Sequence, residues 1–166
     1  IEALCRDVLS DPTNSCPQLI RLYIRGSTMG DEGAAMIGDA LRTNSVLKCL
    51  SLTSSGIGAL GAKALGEGLA FNSTLTRLTL GHNELGDKGL ILLVQTIKSS
   101  QSSSPSALTS LNVMANQIVG DAAQVWEELV SMTHLRELDM QDNLLTDRVT
   151  LDFAHALLDH CPFTYL

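Results

Sequence analysis

The sequence predicts an α/β solenoid, a curved horseshoe segment with a parallel sheet on its concave face and helices on its convex face. Three observations predict it. A leucine pattern starts afresh at Leu19, Leu47, Leu75, Leu108 and Leu135, in steps of 28, 28, 33 and 27 residues. Within each copy the apolar spacing changes from two, the period of a strand, to that of a helix. Between the two lie an Asn or Ser and then a Gly-Asp pair or a variant of it. Self-similarity at such a period marks stacked units, each too small to bury its apolar face alone.

Taken in order, residues 1–18 open with Leu4, Val8 and Leu9 at helical spacing, and Asp11-Pro12 and Cys16-Pro17 break that run. They are expected to be the helix of a preceding partial repeat. Repeat 1 covers 19–46, repeat 2 covers 47–74, repeat 3 covers 75–107, repeat 4 covers 108–134 and repeat 5 covers 135–162. FTYL, 163–166, has the spacing of a truncated sixth, and all form one solenoid domain. In repeat 3, Leu78 and Leu80 alternate with Arg77 and Thr79, so the leucines share one face of a strand and the polar residues the other. Asn83 stands where the strand must turn, and its side chain can bond local backbone there. Asn116 and Asn143 repeat it, with Ser27 and Ser55 as weaker substitutes. Asp87, repeated by Asp31 and Asp147, is expected to cap the helix that follows.

The helices show as Ala34, Ile37 and Leu41; Ala62, Leu65 and Leu69; Val125 and Leu129; Phe153 and Leu157, stripes that face the strands. Trp126 replaces a small residue among them. It reads as core filling, with a convex docking anchor as the sharper alternative. Repeat 4 runs a residue short. Repeat 3 carries an insertion, SSQSSSPS at 99–106, of flexible-linker composition. A regulatory loop with a phosphosite at Ser104-Pro105 is one reading of it. Drift in a loop that tolerates lengthening is the simpler one and is preferred.

LxxLxLxxNxLGDxG followed by a helix, at 28 residues, resembles the ribonuclease-inhibitor-like class of leucine-rich repeat, over Leu19 to the end. That resemblance implies a leucine-rich repeat solenoid. The class includes ribonuclease inhibitor, the sensor regions of NOD-like receptors, Ran GTPase-activating proteins, tropomodulins and ciliary regulators. Most bind other macromolecules through the concave face or its rims, and function sits on variable positions rather than on the scaffold.

Composition narrows the function classes. With 45% hydrophobic and 17% charged residues the chain is globular. Aromatics are 4%, so Leu, Ile, Val and Ala must build the core. No uncharged apolar stretch reaches the ~18 residues of a membrane span. A net charge of −7 argues against broad nucleic-acid binding while leaving room for a local basic patch. Cys5, Cys16, Cys49 and Cys161 show no zinc-type pairing. Cys49 falls on the exposed strand face, where a free thiol is best tolerated in reducing surroundings, so a cytoplasmic location is expected, with nuclear as the variant. The chain starts at Ile1, both ends look cut and neither carries a polar cap. A longer parent protein is expected, with end-to-end pairing of uncapped ends as the alternative.

Several tempting motifs dissolve in the repeat register. Gly56-Ile57-Gly58-Ala59-Leu60-Gly61 is a literal G-x-G-x-x-G. Yet Gly58 matches Gly30 and Gly86, and Gly61 matches Gly33 and Gly89. The sequon Asn72-Ser73-Thr74 repeats Asn44-Ser45 and reads as a helix terminus. His155, His160 and Cys161 cluster near the end, but a spacing of five does not align two histidines on one helix face. No catalytic, cofactor-binding or metal-ligating residue is assigned, and an enzyme is not expected.

The solvent-facing strand positions are where function is expected. They are Arg21, Tyr23 and Arg25; Cys49, Ser51 and Thr53 beside Lys48; Arg77 and Thr79 with His82 on the rim; Ser110, Asn112 and Met114; and Glu137, Asp139 and Gln141, with Asp142 on the rim and Arg136 alongside. The candidate partner-binding set is Arg21, Tyr23, Arg25, Lys48, Arg77, Asn112, Glu137 and Asp139. The face has a basic end and an acidic end, able to orient a partner of opposite polarity; plain solubilising side chains are the competing explanation. A protein-interaction module or scaffold ranks first. A ligand-sensing region of a NOD-like innate-immune receptor, meeting an anion such as nucleic acid, ranks second. A GTPase-activating domain, by resemblance alone, ranks third.

Overall fold

The computed structural model describes residues 1–9, 18–99, 106–120, 123–159 and 164. Most of the serine insertion, the Asp11-Pro12 and Cys16-Pro17 breaks, the His160-Cys161 pair and most of FTYL lie outside them, as do the side chains of Val8 and His155. The chain opens with a helical turn, Glu2–Leu4 (α1), that continues as a π-helical turn, Cys5–Leu9. Strand and helix then alternate: β1 Arg21–Tyr23, α2 Gly30–Leu41, β2 Cys49–Ser51, α3 Ala59–Leu69, β3 Arg77–Thr79, α4 Gly86–Lys98, β4 Ser110–Asn112, α5 Ala123–Val130, β5 Glu137–Asp139 and α6 Asp147–Asp159. The strands form one parallel sheet in chain order. It is a leucine-rich solenoid with the sheet on the concave side.

Register follows from the leucines. Leu22, Leu50, Leu78, Leu111 and Leu138 stand directly beside one another across the sheet. From Leu50 onward each is essentially buried, at about 1.5–3 kcal/mol per side chain. The expected helix stripes close over them: Ala34, Ile37, Leu41, Ala62, Leu65, Leu69, Val125 and Leu129 are all buried. Trp126 belongs to this core. It is 2% exposed, its indole Nε1–H donates to the Gly120 carbonyl at 3.0 Å, and its ring packs on Phe153 with centroids 4.5 Å apart. A buried ring cannot anchor a partner, so the docking alternative is set aside.

Asparagines tie the turns together. Asn83 Nδ2 donates to Leu80 and Gly81 in its own repeat and to Leu52 in the one before, and its Oδ1 accepts from the Ser55 and Ile57 amides. Asn143 does the same, bonding Met140 and Gln141 in its own turn and Val113, Asn116 and Ile118 in the repeat before. The bonds expected to be local therefore also staple neighbours. Asn44 and Asn72 build a second row. Asn72 is buried, accepts from Thr74 and Leu75, and donates to Leu41 and Asn44. It is a helix-terminus residue, as its register implies.

The expected aspartate caps are not caps. Neither α2 nor α4 has a side-chain cap at its start. Asp31 instead accepts from the Gly58 amide one repeat on, at 2.7 Å. Asp87 likewise accepts from Val119 and Gly120. At α6 it is Thr146, just before Asp147, whose hydroxyl accepts from the Val149 amide, at 3.4 Å. The neighbour's amide at each turn is as unpaired as the helix's own, and the carboxylate satisfies that one.

Candidate functional site

Two rows of side chains cross the concave sheet in register. One is Arg21, Cys49, Arg77, Ser110, Glu137; the other is Tyr23, Ser51, Thr79, Asn112, Asp139. Period-two alternation lifts them off the sheet while their leucine neighbours go inward. Arg25 lies beyond the second row and Lys48 beside the first. Arg21, Tyr23, Arg25, Lys48 and Arg77 are exposed, whereas Asn112, Glu137 and Asp139 are half-buried. Ser51, expected to be exposed, is 2% exposed; its hydroxyl lies 3.1 Å from that of Thr53. Cys49 is half-buried for a similar reason, since it lies between the larger Arg21 and Arg77.

The charges are less separated than their order along the chain suggests. Arg77 reaches across β4: its Nη2 lies 3.3 Å from Glu137 Oε2 and its Nε donates to Ser110 Oγ at 3.4 Å. Both side chains remain about half exposed, so the pair is worth no more than about 1 kcal/mol. Asn112 Nδ2 donates to Asp139 at 2.5 Å. These groups line a shallow hollow of about 390 Å³ with Thr79 and Gln141. At the other end Arg25 sits over the Tyr23 ring, 5.5 Å from its centroid. Among the described residues Arg21, Arg25 and Lys48 have no carboxylate partner. A second hollow, about 330 Å³, is lined by Arg21, Lys48, Cys49, Arg77, Ser110 and Glu137, and also by Thr76, Ile20 and Thr109. The last three escaped the sequence argument because they flank the leucine positions and break the strict alternation.

The G-x-G-x-x-G loop has no free phosphate cradle. The Gly58 amide that a pyrophosphate would use is bonded to Asp31, and the Asp31 carboxylate fills the space beside Gly61. A carboxylate there repels a second anion.

A family model described as Leucine Rich repeat matches residues 43–66, 71–94 and 131–148. The chain carries leucine-rich repeats. Among curated proteins, no sequence matches it. Two solved structures share the solenoid over most of both chains. Leiomodin-1 actin-binding site 2 is 19% identical, with TM-score 0.68, covering 91% of this chain and 88% of its own. A tropomodulin C-terminal domain from Caenorhabditis elegans is 14% identical, with TM-score 0.68, covering 93% and 91%. At these identities the likeness is one of fold. The leucine-rich repeat scaffold thus holds a concave face whose side chains are this chain's own.

Proposed function

We propose that the chain is a non-catalytic protein-interaction module that binds a protein partner through its concave strand face. The observation that carries this reading is Tyr23. In a chain with few aromatics it stands 55% exposed on the sheet, braced by Arg25. Tyr and Arg are enriched in binding hot spots: Tyr gives large contact area at low entropic cost, and Arg gives a planar fork of donors. Leucine-rich repeat domains are known above all as binding scaffolds, and the leiomodin neighbour's name states that it binds actin. Actin therefore enters as a partner to test. A reducing, cytoplasmic location goes with the proposal, because Cys49 is a free thiol on the same face.

The test is affinity capture from lysate, with purified actin as a separate sample and two baits in parallel. One bait is the native chain; the other carries Arg21→Glu, Tyr23→Ala, Arg25→Glu and Arg77→Glu. A protein kept by the first and lost by the second supports the concave face. Identical retention by both sinks it. A second reading, a ligand-sensing region that meets nucleic acid, draws on Arg21, Arg25 and Lys48, which have no carboxylate partner among the described residues. Steep loss of captured nucleic acid with salt would favour it.

A further inference from the structure

We infer that the basic side of the second hollow, where Arg21, Lys48 and Arg77 stand on and beside β1, β2 and β3, is a carboxylate site, and that its occupant is an acidic, extended peptide segment of a protein partner. The inference rests on the concave-face reading and adds the chemistry of what binds there. Arg21, Cys49 and Arg77 are directly cross-strand, so two guanidinium-bearing positions lie two strand spacings, about 10 Å, apart over a smaller residue. Lys48 adds a third cation to the same hollow of about 330 Å³, whose far side is lined by Ser110 and Glu137. Arg21 and Lys48 are exposed and have no acidic partner among the described residues.

The molecule already places one carboxylate against this row. Glu137 crosses β4 to reach Arg77 at 3.3 Å, while Ser110 takes the Arg77 Nε–H. That pair is weak and exposed, so an incoming carboxylate can replace Glu137 at little cost. Glu137 then acts as an internal competitor for Arg77. A nucleic acid fits less well. Its backbone needs a long cationic track, whereas here Glu137 and Asp139 close off the sheet two strands beyond Arg77 and the chain's net charge is −7. A peptide carrying a few carboxylates matches three cations confined to three strands.

The experiment titrates the full chain with a fluorescein-labelled hexaglutamate peptide, a hexaglutamine control and a short single-stranded DNA, by anisotropy at low salt. Hexaglutamate is expected to bind measurably and hexaglutamine not. Arg21→Glu with Lys48→Glu should weaken hexaglutamate at least about tenfold, from several exposed pairs at a few-fold each. Glu137→Gln should tighten it about two- to fivefold by releasing Arg77, a gain that misfolding cannot imitate. Glu67→Gln, the same charge change beside Lys63 on the helix side, should leave it unchanged. Equal binding of hexaglutamate and hexaglutamine overturns the inference. So does stronger binding of the DNA, or an equal gain from Glu67→Gln. If hexaglutamate fails while the concave-face bait still loses a protein partner, this inference falls and the proposed function stands. If hexaglutamate behaves as expected while both baits retain the same proteins, the carboxylate site stands and the proposed function falls.

Discussion

Gly26, Ser54, His82, Ala115 and Asp142 hold the same place in five successive turns, and each has a left-handed backbone, with φ of 62°, 55°, 55°, 50° and 55°. Only the first is glycine. A Cβ in that region costs roughly 1–2 kcal/mol, partly offset by the lower unfolded-state entropy of a non-glycine residue. Ala115→Gly is therefore expected to stabilise the chain by about 0.5–1 kcal/mol, read as a raised melting temperature. A lower one would mean that the Ala115 methyl packs better than its half-exposed setting suggests. Sequence alone shows these positions as unrelated residues. Their common backbone becomes visible only when the repeats are laid over one another and the turn is seen. The aspartates teach a related lesson. In a strict repeat, position Asp31 faces its own helix start and the next repeat's turn with identical motifs. The residue type predicts a carboxylate accepting amide hydrogens, and only the packing says whose.

Between elements, small residues set the distance. Gly68 of α3 lies against the Gly38 carbonyl of α2, and a methyl built there would overlap it. In an open helix Gly→Ala gains up to about 1 kcal/mol. Here Gly68→Ala should instead destabilise, by about 1–3 kcal/mol of overpacking, seen in urea unfolding as a lower midpoint. A higher midpoint would refute the close approach. Of the glycines of this helix, the repeat register singled out Gly61 and not Gly68. The role of Gly68 was not legible, because helix–helix distance leaves no trace in a single helix's periodicity. Helices α4 and α5 meet through charge. Burial pushes the Glu128 carboxyl up, but Lys98 Nζ at 2.6 Å and Gln95 Nε2 at 3.0 Å outweigh it, so its pKa lies below the ordinary 4.5. A carboxyl lowered by folding stabilises the fold above its ordinary pKa, and that contribution disappears as pH falls through the folded value. Glu128→Gln should thus lower the melting temperature at pH near 7, with the gap narrowing as the pH drops below about 4.5. A gap that does not change with pH would contradict the pairing.

At the scale of the whole molecule, the stack was the most legible feature. Period, strand positions and helix stripes follow from leucine spacing, which the sheet register reproduces from β1 to β5. The concave face was legible in membership and less so in exposure and pairing. Ser51 and Cys49 sink because flat alternation ignores how larger neighbours overhang a small side chain. Arg77 and Glu137, 60 residues apart, meet because long side chains span two strands. The central claim is that binding happens on this face. Hydroxyl-radical footprinting of the chain with its captured partner tests it most directly, because oxidisable side chains sit on both sides: Tyr23 and Met114 on the sheet, Met36 and Phe71 on the helix side and its edge. The account predicts that Tyr23 and Met114 become protected while Met36 and Phe71 react as in the free chain. Protection of Met36 and Phe71 with Tyr23 unchanged would contradict it.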